Sequence, residues 1–154
     1  MRNVSDYEPV IDAWLKQFAA EDGFQAGVIY RGTLVGMAGF HGMDRRNEQT
    51  SIGYWLAEEY QGKGIMTRVC RFLIRYAFAE WKLNRVEIRC GVENHKSRAI
   101  PERLGFRMEG VIRDGEQLSG TFTDLAVYGL LRRDQAAENL MKDRNGEEET
   151  EGTK

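Results

Sequence analysis

The chain has 154 residues, 42% of them hydrophobic, with 22 Lys and Arg set against 24 Asp and Glu for a formal net charge of −2. That apolar content supports one core of ordinary size, burying roughly two-thirds of the surface that the unfolded chain exposes, so one domain is predicted. The balanced charge offers no broad cationic field to a phosphate backbone, and direct nucleic-acid binding is not expected.

Tyr7, Val10, Ile11, Trp14, Leu15 and Phe18 recur at helical spacing behind Ser5 and Glu8, an S-x-x-E capping box, and predict an amphipathic opening helix. Two apolar runs follow, Ala26 to Tyr30 and Leu34 to Phe40, joined by Arg31-Gly32-Thr33, which predicts a β-hairpin. Ser51 to Ala57 is aromatic and aliphatic and short enough for a third strand. After Gly62 and Gly64, the residues Met66, Val69, Cys70, Leu73, Ala77 and Trp81 lie three or four apart, with Arg68, Arg71 and Arg75 on another face, the pattern of a half-buried helix. Val86, Ile88, Cys90 and Val92 alternate with Arg85, Glu87 and Arg89, the period of a strand.

Asn94 is a good cap for a helix ending near Leu104-Gly105. Pro101 cannot donate to the Ser97 carbonyl four residues back, so that helix should be kinked or short and leave this carbonyl free. Strands are predicted around Phe106 to Arg113 and Phe122 to Leu131, with Asp114-Gly115 as the turn between them. The apolar period fades from Arg132, and the domain is placed at 1–132 with a polar, partly disordered tail over 133–154. Cys70 and Cys90 are isolated thiols without CxxC spacing, so neither a metal site nor a disulfide framework is expected, and a reducing cytoplasm fits them. The opening residues contain no signal-like apolar segment, and no later stretch reaches the roughly 20 apolar residues a bilayer span needs, so no membrane association is predicted.

The stretch that bears on function is Tyr60-Gln61-Gly62-Lys63-Gly64-Ile65-Met66-Thr67, between a strand and the strongest helix. Its glycines allow a tight turn, after which the first N–H groups of the helix face outward as an anion site suited to a pyrophosphate. Glycines before a helix also serve as ordinary turns. The spacing is neither a Walker A loop nor a Rossmann fingerprint, whose third glycine would fall on Thr67.

The order hairpin, strand, glycine turn, helix, strand, Asn-x-x-Ser helix and two strands resembles the GNAT acetyltransferases, whose signature is [RQ]-x-x-G-x-[GA]. Gln61, Gly62 and Gly64 fit that segment, Gly62 at a variable position, and Met66 departs from the last small position. With Gly53-Tyr54-Trp55-Leu56, Asn94-x-x-Ser97 and Leu104-Gly105-Phe106, the resemblance narrows to the RimJ/RimL branch and its ribosomal-protein serine acetyltransferases, over about Ser5 to Arg132. It implies an α/β mixed sheet of the GNAT acyl-CoA N-acyltransferase fold, here without the N-terminal strand and helix that precede the segment equivalent to Ser5. An open sheet edge would follow, and with it a homodimer or higher oligomer.

The resemblance further implies direct attack of an acceptor amine on the thioester of acetyl-CoA. Backbone groups of Trp55 and Leu56 would pair with the pantetheine arm, and an N–H there would stabilise the developing oxyanion. Gln61, Gly62, Lys63, Gly64, Ile65, Met66 and Thr67 would form the pyrophosphate seat, the Met66 departure altering packing more than binding, and Asn94 would hold the CoA arm. Ser97 would be the acid to the thiolate and Glu116 the base to the amine; without the family, Ser97 is also an ordinary first-turn residue and Glu116 an ordinary turn residue. His41 and His95 are candidate bases that read more simply as surface or packed residues, Asp124 either orients the acceptor or satisfies buried donors, and the Trp14, Trp55 and Trp81 set reads as core rather than a ligand box. The acceptor is expected to be a ribosomal protein's N-terminal amine; a small amine such as a polyamine or aminoglycoside, or a CoA-binding module without turnover, stays open.

Overall fold

The computed structural model describes residues 24–142. The opening helix predicted over Tyr7 to Phe18, with Trp14, lies outside them, as do residues 143–154. Strands β1 (Phe24–Tyr30), β2 (Thr33–Asp44), β3 (Gln49–Leu56), β4 (Arg85–Gly91), β5 (Arg107–Leu118) and β6 (Thr121–Leu131) form one sheet in the order β1-β2-β3-β4-β6-β5. Among these described strands only β3 and β4 pair in parallel. Their connection is helix α1 (Ile65–Ala79), the crossover that a parallel pair requires.

The predicted hairpin forms, with Arg31 and Gly32 as a two-residue turn at φ 51° and 82°. α1 turns Ile65, Met66, Val69, Cys70, Leu73, Ile74, Ala77 and Phe78 into the core, where they meet Phe40, Ile52, Val86, Ile88 and Tyr128 from the sheet. Each large side chain buried this way contributes about 1.5–3 kcal/mol. Met66 is 3% exposed, so its side chain is core and only its backbone is available to a ligand. Helix α2 (His95–Arg103) starts on Asn94, whose Oδ1 accepts from the Ser97 N–H at 3.1 Å.

Three expectations need correction. The β5–β6 reversal is at Ser119-Gly120, with φ of 52° and 82°, not at Asp114-Gly115. β5 runs on through Asp114, whose φ of 49° serves a bulge between Ile112 and Glu116; cross-strand register chose between two dipeptides of similar turn chemistry. Second, the chain past residue 132 is not all tail: Gln135–Lys142 is helix α3, which packs on α1 through buried Ala137 and Leu140. Arg132 prepares this return by donating to the Phe78 carbonyl in the last turn of α1. Third, Trp55 is not core; it is 64% exposed, whereas Trp81 packs against Phe40 and Tyr76.

Candidate active site

The site begins where the sheet splits. β3 and β4 pair only from Gln49↔Arg85 to Ile52↔Ile88. Beyond that, β3 stays with β2 as far as Leu56 and β4 stays with β6 as far as Gly91, so Gly53–Leu56 and Arg89–Gly91 diverge. Gly36 on β2 permits this, because a Cβ there would stand 2.2 Å from the Trp55 carbonyl oxygen; the Trp55 peptide lies tight on β2 where β3 leaves β4. A wedge lined by backbone amides results, open to an extended ligand that supplies its own amide groups.

At the end of β3 the Leu56 carbonyl accepts from Gln61 Nε2 at 2.9 Å, so Gln61 ties the strand to the loop that follows. Gly62 and Gly64 then take φ of 80° and 77°, with nothing within 4 Å of where a Cβ would be. Gly64 is the N-cap of α1 and no side chain caps that end. With Ile65 and Met66 turned into the core, the cradle consists of backbone N–H groups at the positive end of a 15-residue helix, which fits a pyrophosphate. Thr67 is nearly buried, and its hydroxyl accepts from Arg103 Nη1 at 2.9 Å, joining the end of α2 to the start of α1. Lys63 is exposed, its ammonium 5.9 Å from the ring centres of Tyr30 and Tyr60.

On the α-helical side of the split, Tyr54 donates to the Ser97 carbonyl at 2.7 Å, the carbonyl that Pro101 leaves free. Its hydroxyl also lies 3.6 Å from Cys90 Sγ. Burial holds both the Tyr54 hydroxyl and the Cys90 thiol above their ordinary pKa values, with the hydrogen bond from Tyr54 partly offsetting the rise at Cys90. Tyr54 and Cys90 therefore both keep their protons at neutral pH. Asn94 spends its Oδ1 on capping α2.

The opposite face of the sheet holds an open cavity of about 560 Å³ lined by His41, Ser51, Ile52, Gly53, Tyr54, Glu87, Arg89 and Glu116. Its two carboxylates differ. Glu87 is compensated by Arg85 at 3.1 Å and by Arg89, and Arg85 reaches on to Glu109 at 2.8 Å. Glu116 is in β5 opposite Thr123, not in a turn, and among the described residues its carboxylate is bonded to none. Asp124 accepts from the Asp114 N–H at 2.8 Å and so pins the bulge that sets where Glu116 stands. Ser97 and Glu116 approach the split from opposite faces, with Tyr54 touching both environments. His41 lines the cavity over Gly53, while His95 merely opens α2. The sequence offers Tyr54 only as part of the Gly53-Tyr54-Trp55-Leu56 motif, with no role of its own, and does not single out Arg103; the missing N–H of Pro101 is the available signal that a donor must come to the Ser97 carbonyl.

The site thus combines a parallel pair that splits, an uncapped, glycine-led helix beside the split, and across the gap a carboxylate bonded to none of the described residues. The Acetyltransferase (GNAT) domain family matches residues 2–107. YdaF of Bacillus subtilis (strain 168), a ribosomal N-acetyltransferase by name, is 49% identical over 131 residues, 85% of this chain and 72% of that protein. The ribosomal-protein-serine acetyltransferase of Escherichia coli (strain K12) is 34% identical over 95 residues, 62% of this chain and 53% of that protein. The crystal structure of the microcin C7 self-immunity acetyltransferase MccE in complex with acetyl-CoA and AMP superposes with a TM-score of 0.68 at 32% identity, covering 84% of this chain and 72% of that one. This chain belongs to the GNAT acetyltransferase family, whose members are N-acetyltransferases using acetyl-CoA, and the RimJ/RimL resemblance of its motifs is borne out. No helix among the described residues is long and apolar enough to cross a membrane.

Proposed function

We propose that this chain acetylates the N-terminal α-amine of a protein, a ribosomal protein in the first instance, as the names of its relatives suggest. The observation that carries this reading is the uncompensated Glu116 in an open cavity that meets the split at Tyr54. An open cavity accepts the end of a polypeptide, and a lone carboxylate beside an arginine-bound one attracts an ammonium and then takes its proton.

Bound in the split, acetyl-CoA supplies an activated acetyl thioester. The α1 amides from Ile65 to Thr67 hold the pyrophosphate, and the β3 backbone at Trp55 and Leu56 aligns the arm. Glu116 removes a proton from the acceptor amine as its nitrogen bonds to the acetyl carbon. As the carbon–sulfur bond breaks, Ser97 gives a proton to sulfur from the helical face and regains one from solvent, while Glu116 releases its proton to solvent. Tyr54 keeps Ser97 in place through its carbonyl.

The test is acetylation of purified ribosomal proteins and, separately, of spermidine and an aminoglycoside, using labelled acetyl-CoA and mass spectrometry to locate the label. Acetyl at a protein N-terminus is expected. Turnover confined to the small amines would overturn the acceptor assignment, and none with any acceptor by a folded chain would overturn the enzyme itself.

A further inference from the structure

The open cavity carries an ion pair to which the catalytic scheme gives no role. β4 alternates, so that Val86, Ile88 and Cys90 are buried in the core while Arg85, Glu87 and Arg89 face the other way. Both oxygens of Glu87 are engaged: Arg85 Nη2 donates to Oε2 at 3.1 Å and Arg89 Nε donates to Oε1. Arg85 is held in turn by Glu109, whereas among the described residues the two Nη groups of Arg89 donate to none. The Arg89 side chain is 50% exposed, against 17% for Glu87, and lines the same cavity as Glu116. One free carboxylate and one guanidinium fork with unused donors therefore share this space.

We propose that Arg89 is the specificity residue of the acceptor site, selecting a protein N-terminus over a polyamine: its Nη groups donate to the first peptide carbonyl of the acceptor while Glu116 receives the α-ammonium. This inference rests on the reading of the cavity as the seat of a protein N-terminus. In a polypeptide only the α-carbon and the carbonyl carbon separate the ammonium from the first carbonyl oxygen, so a carboxylate and a guanidinium lining one cavity can engage both at once. A polyamine offers no carbonyl to Arg89; it offers methylenes and then a second ammonium, which Arg89 repels. Selection thus has an attractive and a repulsive part. The bond from Nε to Glu87 fixes the plane of the guanidinium, which makes Glu87 a positioning residue for the fork. Arg89 in return covers Glu87 Oε1, which without it opens to the cavity as a second free carboxylate oxygen attractive to polycations.

The experiment measures kcat and KM of the full chain, with labelled acetyl-CoA, for two acceptors: a short serine-initiated peptide amide without lysine, and spermidine. It is repeated on Arg89→Ala, Arg89→Lys and Arg89→Ala/Glu87→Gln, each checked for folding by circular dichroism and for its KM for acetyl-CoA. The unaltered chain should favour the peptide. Arg89→Ala should lose about tenfold or more in kcat/KM for the peptide, mainly through KM, the scale of one charge-assisted hydrogen bond. It should gain about threefold on spermidine as Glu87 is uncovered, with the KM for acetyl-CoA unchanged. Arg89→Lys should keep the rejection of spermidine but not the full affinity for the peptide, which separates the charge from the fork. In Arg89→Ala/Glu87→Gln the gain on spermidine should vanish while the loss on the peptide remains. A peptide preference that survives in Arg89→Ala overturns the proposal and leaves the protein acceptor standing, and an equal loss on both acceptors overturns it as the mark of a structural role. An unaltered chain that favours spermidine overturns both.

Discussion

Pro101 has no N–H for the Ser97 carbonyl, and the Tyr54 hydroxyl fills that vacancy across the split. Tyr54→Phe should therefore strand a half-buried carbonyl and cost about 1–3 kcal/mol of stability. Adding Pro101→Ala restores a helical donor and should recover part of the loss, a coupling that urea denaturation of the two single variants and the double variant would measure. On the proposed role of Glu116 as base, Glu116→Gln keeps the shape but removes the basic oxygen. Its kcat should fall by about 10²–10⁴-fold with the KM for acetyl-CoA little changed, and the acid limb of the pH–rate profile should disappear. Undiminished turnover by Ser97→Ala would move the acid role elsewhere, with Tyr54 as the nearest hydroxyl.

The irregularity of the β5–β6 hairpin sets where Glu116 stands. Three β5 residues, Arg113 to Gly115, stand against Asp124 alone, between the pairs Ile112↔Leu125 and Glu116↔Thr123. Asp124 holds Asp114 in its left-handed conformation from the facing strand. Asp124→Ala should release the bulge and let Glu116 drift, lowering kcat by roughly tenfold or more, since misplacement of about an ångström costs on that scale. The KM for acetyl-CoA should not change, because the cradle is on α1; steady-state kinetics on the variant separates the two parameters. α2 shows the complementary principle: a proline that weakens its own helix makes a carbonyl available to a neighbour.

For the whole molecule, burial of protonated acids sets an alkaline limit. Cys70 and Cys90 have pKa values raised above the ordinary 9.0, and Tyr54 lies above its ordinary 10.0, chiefly through burial. The folded state keeps protons there that the unfolded chain releases, so their contribution is complete below about pH 9 and is lost as the pH climbs above it. Melting temperatures measured from pH 7 to 10.5 should hold level and then drop, and Cys70→Ala should flatten the drop. A flat curve in the unaltered chain would show that these groups are not buried as described.

The residues alone determined the hairpin, α1, β4, the cap of α2 and the glycine cradle, because each rests on contacts within a few positions: alternation, helical period, a capping side chain, a left-handed turn. The motifs added the family. Tertiary structure decided the rest, because it depended on which distant groups meet. Two dipeptides could have reversed β5, and only pairing with β6 selected Ser119-Gly120. Ala137 and Leu140 formed a face too short to recognise until α1 offered it a surface. Trp55 sits in an apolar strand, yet β4 turns away and leaves it exposed. Glu87 and Glu116 differ in kind only because arginines from β4 reach one and not the other. Burial, register and charge compensation are properties of the assembled sheet, and no local pattern encodes them.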